Sequence, residues 1–161
     1  MFRVPGVMLM CLFGLAGCVG LPSPSERSHT VAIAPEQAAQ TSIARALQTL
    51  QRDRDPAHSG IFPLVEADDA FAARMLMARH AERTLDVQYY IWRADMTGLM
   101  LLEALHEAAD RGVRVRLLLD DNNTAGIELY LQALHAHPNI EVRLFNPFVI
   151  RKVRWLNFVT E

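Results

Sequence analysis

The sequence is short of several features that would assign it to a broad class. It has no apolar run approaching the roughly 20 residues that a helix needs to cross a bilayer core. Its N-terminal candidate, Val7 to Leu15, is far too short for a permanent transmembrane anchor. It has no excess of one charge: a net charge of −2 offers no general field for nucleic acid, which is bound by neutralising phosphates with Lys and Arg. No nucleic-acid partner is expected. No internal repeat or low-complexity block stands out, and His106-Glu107 is not followed by a second histidine at the zinc-protease spacing. His106 therefore reads as a helix-face residue, and no metal or other cofactor is expected.

Cysteine is scarce as well, with two in 161 residues, Cys11 and Cys18. Met1 to Gly17 carries one cation, Arg3, ahead of the apolar run Val7 to Leu15, the pattern of a secretory signal peptide. Leu15-Ala16-Gly17-Cys18 resembles the lipobox of bacterial lipoproteins, which implies cleavage before Cys18 and attachment of lipid to its thiol. Cys11 would leave with the leader, so no disulfide forms within the mature chain even though export would permit one. By the same resemblance Gly20 is not the aspartate that retains lipoproteins at the inner membrane. The expected location is the bacterial cell envelope, at the outer membrane facing the periplasm. The remainder is long enough for one domain of about 100–150 residues.

From residue 18 to Gln40 the chain is rich in Pro, Ser, Gln and Ala and poor in large apolar residues, and reads as a tether. Residues 41–58 form a helix and linker, with Ile43, Leu47 and Leu50 on one helical stripe before Pro56 and Ser59-Gly60. From residue 59 short apolar segments alternate with amphipathic ones. A strand is expected at Gly60 to Val65, then a helix capped by Asp68 or Asp69 with Phe71, Met75 and Ala78 on one face. Leu85 to Trp92 reads as a strand. Thr97 to about Arg111 reads as a helix stopped by Gly112 and burying Leu99, Leu102, Leu105 and Ala109. Val113 to Leu119 is a strand apolar enough for the interior of a parallel sheet. Ile127, Tyr130, Leu131 and Leu134 mark a further helix ended by Pro138. Ile140, Val142 and Leu144 then alternate with Glu141 and Arg143 in a last strand. The implied fold class is α/β, a mainly parallel sheet flanked by helices.

Ligands of such sheets bind beyond the carboxyl ends of the strands. Those ends are Tyr90-Ile91-Trp92-Arg93, Asp120-Asp121-Asn122-Asn123 and Phe145-Asn146-Pro147-Phe148, polar and aromatic as a rim would be. For Asp120 and Asp121 the simplest reading is that one caps the following helix with Asn123 or Thr124 while the other is solvated; a receiver-like metal site is the weaker alternative. Tyr89 and Tyr90 point to opposite faces, so one of them at most is core. His135 and His137 lie at a helix end, where cations suit the dipole.

The ordered set Ser59-Gly60-Ile61-Phe62-Pro63-Leu64, the helix from Asp68 to His80, Leu85-Asp86-Val87-Gln88-Tyr89-Tyr90-Ile91-Trp92, Gly112-Val113-Arg114-Val115-Arg116-Leu117-Leu118-Leu119-Asp120-Asp121 and Glu141-Val142-Arg143-Leu144-Phe145-Asn146-Pro147 resembles the first half of cardiolipin synthases, within the phospholipase D superfamily. The resemblance implies a phospholipase D-like domain over residues 59–161, a phospholipid substrate, a membrane partner reached through lipidated Cys18, and chemistry by paired His-x-Lys-x-x-x-x-Asp motifs. One histidine of the pair attacks phosphorus and the other serves as acid and base, while the lysines stabilise charge without a metal.

Here His29, His58, His80, His106, His135 and His137 are followed at the second position by Val, Gly, Glu, Ala, His and Asn. None begins the motif, so no catalytic residue is assigned and Cys18 is the one functional residue named. The expectation is an N-terminal part of a phosphatidyltransferase that stops before its first motif and is inactive alone. A non-enzymatic lipoprotein with an α/β domain that binds a partner or lipid is the alternative. Phe148 to Leu156 interleaves basic and bulky apolar residues; it reads as a loop that packs on a missing half, and the same segment resting against an anionic lipid surface is the weaker alternative.

Overall fold

The computed structural model describes residues 29–55 and 57–147. The expected leader, Cys11, Cys18, Gly20 and the Phe148 to Leu156 segment lie outside the described residues. Ala32–Pro147 forms one compact unit, which begins inside the segment expected as a tether. Its first elements are a single helical turn, α1 (Pro35–Ala39), and α2 (Ser42–Gln51). Thr41 caps α2 by accepting from the Ala44 N–H at 3.2 Å. The expected stripe is helical but is not core: Ile43, Leu47 and Leu50 are all exposed.

The body of the unit is α3 (Ala67–His80), β1 (Thr84–Tyr89), α4 (Met96–Asp110), β2 (Arg114–Asp120), a 3-10 turn at Asp121–Asn123, α5 (Glu128–His135) and β3 (Ile140–Phe145). The strands are parallel in the order β1-β2-β3, with Val87 opposite Leu117 and Leu117 opposite Val142. This is the α/β architecture expected from the alternation of patterns. Two right-handed crossovers between successive neighbours place their helices on the same face. Accordingly α4 packs on β2 and against both α3 and α5, and α5 packs on β3. Since strand side chains alternate, that face takes Val115, Leu117, Leu119 and Ile140, all buried, while Asp86, Arg116 and Glu141 line up across the other.

Local chemistry fixes the helix ends. Gly112 adopts φ +89, a conformation only glycine takes cheaply. The Val113 N–H then reaches the Ala108 carbonyl at 3.1 Å and the Gly112 N–H the Ala109 carbonyl at 2.9 Å. That bond pair closes a helix and turns the chain directly into β2. Inside α4, Leu102, Leu105 and Ala109 are buried as their spacing requires, joined by Leu101, Ala104 and Ala108, while Leu99 is only half-buried.

Three expectations change. Gly60 to Val65 is not a strand: Ile61, Phe62 and Val65 are 90%, 84% and 84% exposed, with no ladder. Apolar, aromatic content makes a strand only where a neighbouring strand packs beside it, and Pro63 removes a donor from any ladder. Neither Asp68 nor Asp69 caps α3; Glu66 is its N-cap and makes no side-chain bond, while the two aspartates sit in the first turn. There they still favour the positive end of the helix dipole. β1 ends at Tyr89, three residues before the expected Trp92, because the chain turns away to start α4.

Candidate functional site

Beyond β1 the chain folds back on itself. The Tyr89 ring meets Trp92 edge-to-face, 4.8 Å between centroids, and Trp92 is buried. Tyr90 is 68% exposed, so of the two tyrosines only Tyr89 packs on the core. Asp95 caps α4: its Oδ1 accepts from the Gly98 N–H and from the Thr97 hydroxyl, each at 2.8 Å. Those bonds, the Gly98 N–H first, hold the Asp95 carboxyl below the usual range, and Arg93 adds to the effect. Gly98 has a steric reason to be glycine. A Cβ there would collide with the Arg93 carbonyl oxygen and stand 3.1 Å from Trp92 Nε1.

These residues wall a cleft of about 210 Å³ with Phe71 and Arg74 of α3 and with Ile91 and Leu101. The Arg74 guanidinium carbon lies 6.0 Å from the Tyr89 ring centroid, within cation-π range. Trp92 Nε1 is buried with no hydrogen-bond partner among the described residues. The cleft lies at the carboxyl end of a parallel strand, where the topology predicts a ligand.

The other strand ends are spent on structure. Asp120 Oδ1 accepts from the Asn122 N–H at 2.9 Å, the cap that was expected of one aspartate. Its neighbour is not solvated: Asp121 is fully buried, and the Thr124 hydroxyl donates to its Oδ1 and its carbonyl, both at 3.0 Å. The turn draws Asp121 inward because Thr124, also buried, supplies the donor that a buried carboxylate requires. Both aspartates are therefore engaged within the turn, and among the described residues no group of three acidic, His or Cys side chains is arranged to hold a metal. After β3, Phe145 is 58% exposed and Asn146 takes φ 48, which its short polar side chain tolerates.

No histidine lines the cleft. His106 Nδ1 and His137 Nε2 approach the two oxygens of Asp110 at 3.3 and 3.2 Å, near the amino ends of the strands. His137 Nδ1 accepts from the Asn139 N–H, so in the neutral ring Nε2 carries the proton offered to Asp110. His135 Nδ1 accepts from the Val142 N–H, and His58 pairs with Asp55. These are structural roles. Of the rim expected at Tyr90 to Arg93, Ile91, Trp92 and Arg93 line the cleft, and Arg74, Asp95 and Gly98 join them without having stood out in the sequence. An aspartate three residues before a glycine at a helix start was the available signal, as a capping pattern.

No family model matches the chain. Cardiolipin synthase C of Escherichia coli K12 is 59% identical over 106 residues, 66% of this chain and 22% of that protein. An uncharacterized protein of Helicobacter pylori J99 is 32% identical over 146 residues, 90% of this chain and 28% of that one. Cardiolipin synthase 2 of Staphylococcus epidermidis is 42% identical over 43 residues, 27% of this chain and 9% of the relative. The chain thus spans under a third of the length of the curated relatives it matches. With that identity carried by the parallel α/β fold the resemblance called for, the chain belongs to the phospholipase D superfamily, as a cardiolipin synthase-like sequence.

Proposed function

We propose that these residues belong to a phosphatidyltransferase of the cardiolipin synthase type, in which a protein of the relatives' full length transfers a phosphatidyl group through a phosphohistidine. Membrane attachment is through lipidated Cys18 at the periplasmic face of the outer membrane. The observation that carries this reading is the 59% identity over 106 residues with Cardiolipin synthase C. The division of labour follows from the histidines. Each of the six lacks the lysine two positions on, and the paired ones serve the fold. What these residues supply is the scaffold and the cleft at the strand ends; the nucleophile and the general acid of a protein of the relatives' full length are not among these six histidines.

Two measurements test it. Sequencing the gene past the codon for Glu161 should reveal a His-x-Lys-x-x-x-x-Asp pattern in one of the reading frames; its absence from every frame contradicts the transferase reading and leaves a lipid- or partner-binding lipoprotein. Labelled palmitate should be incorporated into the expressed chain and lost in Cys18→Ser. Incorporation that survives the substitution contradicts the anchor.

A further inference from the structure

We propose that the cleft beyond β1 is a subsite for a phosphate group, held by the guanidinium groups of Arg74 and Arg93. The reading above enters only in naming a phospholipid headgroup as the source of that phosphate. Both arginines line the cleft, and no ion pair of the described residues includes either one. Asp95 is the one carboxylate among the described lining residues, which together carry one net positive charge. Its Oδ1 is already committed to Gly98 and Thr97.

A second, independent feature points the same way. Trp92 is 4% exposed, and its indole N–H has no acceptor among the described residues, although buried donors are nearly always satisfied. Nε1 stands 3.1 Å from the position of a Cβ on Gly98, so it faces the first turn of α4, which forms one wall of the cleft. The atom has essentially no accessible surface, so an acceptor brought in by a ligand reaches it as the turn from Arg93 to Asp95 gives way. Phosphate suits the place chemically: its oxygens match the fork of a guanidinium, and the amino end of the 15-residue α4 favours negative charge. Size limits the ligand. At about 210 Å³ the cleft is below the roughly 300–1,000 Å³ of whole small-molecule pockets, so it admits a headgroup phosphate and not acyl chains.

The test uses the full 161-residue chain with ¹⁵N-labelled tryptophan, and Trp155→Phe to assign the Trp92 indole resonance. Inorganic phosphate is titrated at ionic strength held constant with sodium chloride. The expected result is a saturable shift of the Trp92 N–H with Kd on the order of 1 mM. Arg74→Ala and Arg93→Ala should each weaken binding roughly tenfold, about 1.4 kcal/mol, while melting as the parent does. Parallel titrations use glycerol 3-phosphate and vesicles of phosphatidylglycerol or phosphatidylcholine. A shift with phosphatidylglycerol vesicles supports the headgroup source, and a shift confined to the soluble phosphates supports the subsite with free phosphate as its ligand. The proposal is overturned by no shift up to about 100 mM phosphate, a hundred times the expected Kd, by an equal shift with chloride, or by a shift unchanged in both arginine variants. Lost phosphate binding would refute the subsite while leaving the transferase reading intact. A gene without the histidine motif would refute that reading while leaving the subsite.

Discussion

Replacing Gly98 with alanine tests the geometry of the cleft wall, because two effects of opposite sign compete there. On helix propensity alone, alanine in place of glycine stabilises a helix by about 1 kcal/mol. In this protein the new methyl would meet the Arg93 carbonyl oxygen well inside van der Waals contact, with Trp92 Nε1 at 3.1 Å behind it. The obstacle is backbone, so relief requires the Arg93 to Asp95 segment to move. That movement strains the bonds from Gly98 and Thr97 to the Asp95 cap. Overpacking of this kind costs about 1–3 kcal/mol, and more where backbone must shift. The net expectation is destabilisation by about 2 kcal/mol. For a unit of this size that lowers Tm by about 5–10 °C, read by circular dichroism. Gly60→Ala is the control: nothing lies within 4 Å of its Cβ position, and the change should be close to neutral. A Gly98→Ala variant that melts at or above the parent temperature would refute the close approach of Arg93 and with it the shape of the cleft.

Leu117 is 1% exposed at the centre of β2, so Leu117→Ala should cost about 3 kcal/mol in urea unfolding. The exposed Leu129 should change stability by less than about 0.5 kcal/mol when made alanine. Acid should destabilise the fold in a definite window. The Arg116 guanidinium beside Asp86, the Ser42 hydroxyl and then its N–H on Glu82, and the Gly98 N–H on Asp95 each hold a carboxyl below its usual range. A depressed folded pKa gives stability that is complete above the unfolded value and disappears as pH falls through the folded one. Unfolding free energy should therefore stay level from neutral pH down to about pH 5 and fall below about pH 4. Asp86→Asn should make that fall shallower. Its bidentate contact with Arg116 is partly solvent-screened, so at neutral pH the substitution should cost under about 1 kcal/mol.

Much of the fold was legible because the deciding interactions are local or periodic. The alternation of Val115, Leu117 and Leu119 with Arg114 and Arg116 fixes the faces of β2, and Gly112 marks where α4 must stop. What escaped depends on distant partners. Ile61 to Val65 has strand composition, but composition does not say whether another strand lies beside it. Asp121 reads as one half of an exposed acidic pair until the fold sets Thr124 against it in the interior. The cleft joins Arg74 of α3, the turn after β1 and the start of α4, three pieces that no spacing along the chain brings together. Gly98 was passed over for the same reason, since a close backbone approach leaves no periodic trace.

The most direct measurement is transfer of a labelled phosphatidyl group between phospholipids in vesicles, made in parallel with the 161-residue chain and with a protein of the relatives' full length. The expected result is turnover by the longer protein, with a trapped acid-labile phosphohistidine, and none by the shorter chain. Transfer catalysed by residues 1–161 alone would contradict the placement of the chemistry outside this chain, and an inactive longer protein would contradict the transferase reading itself.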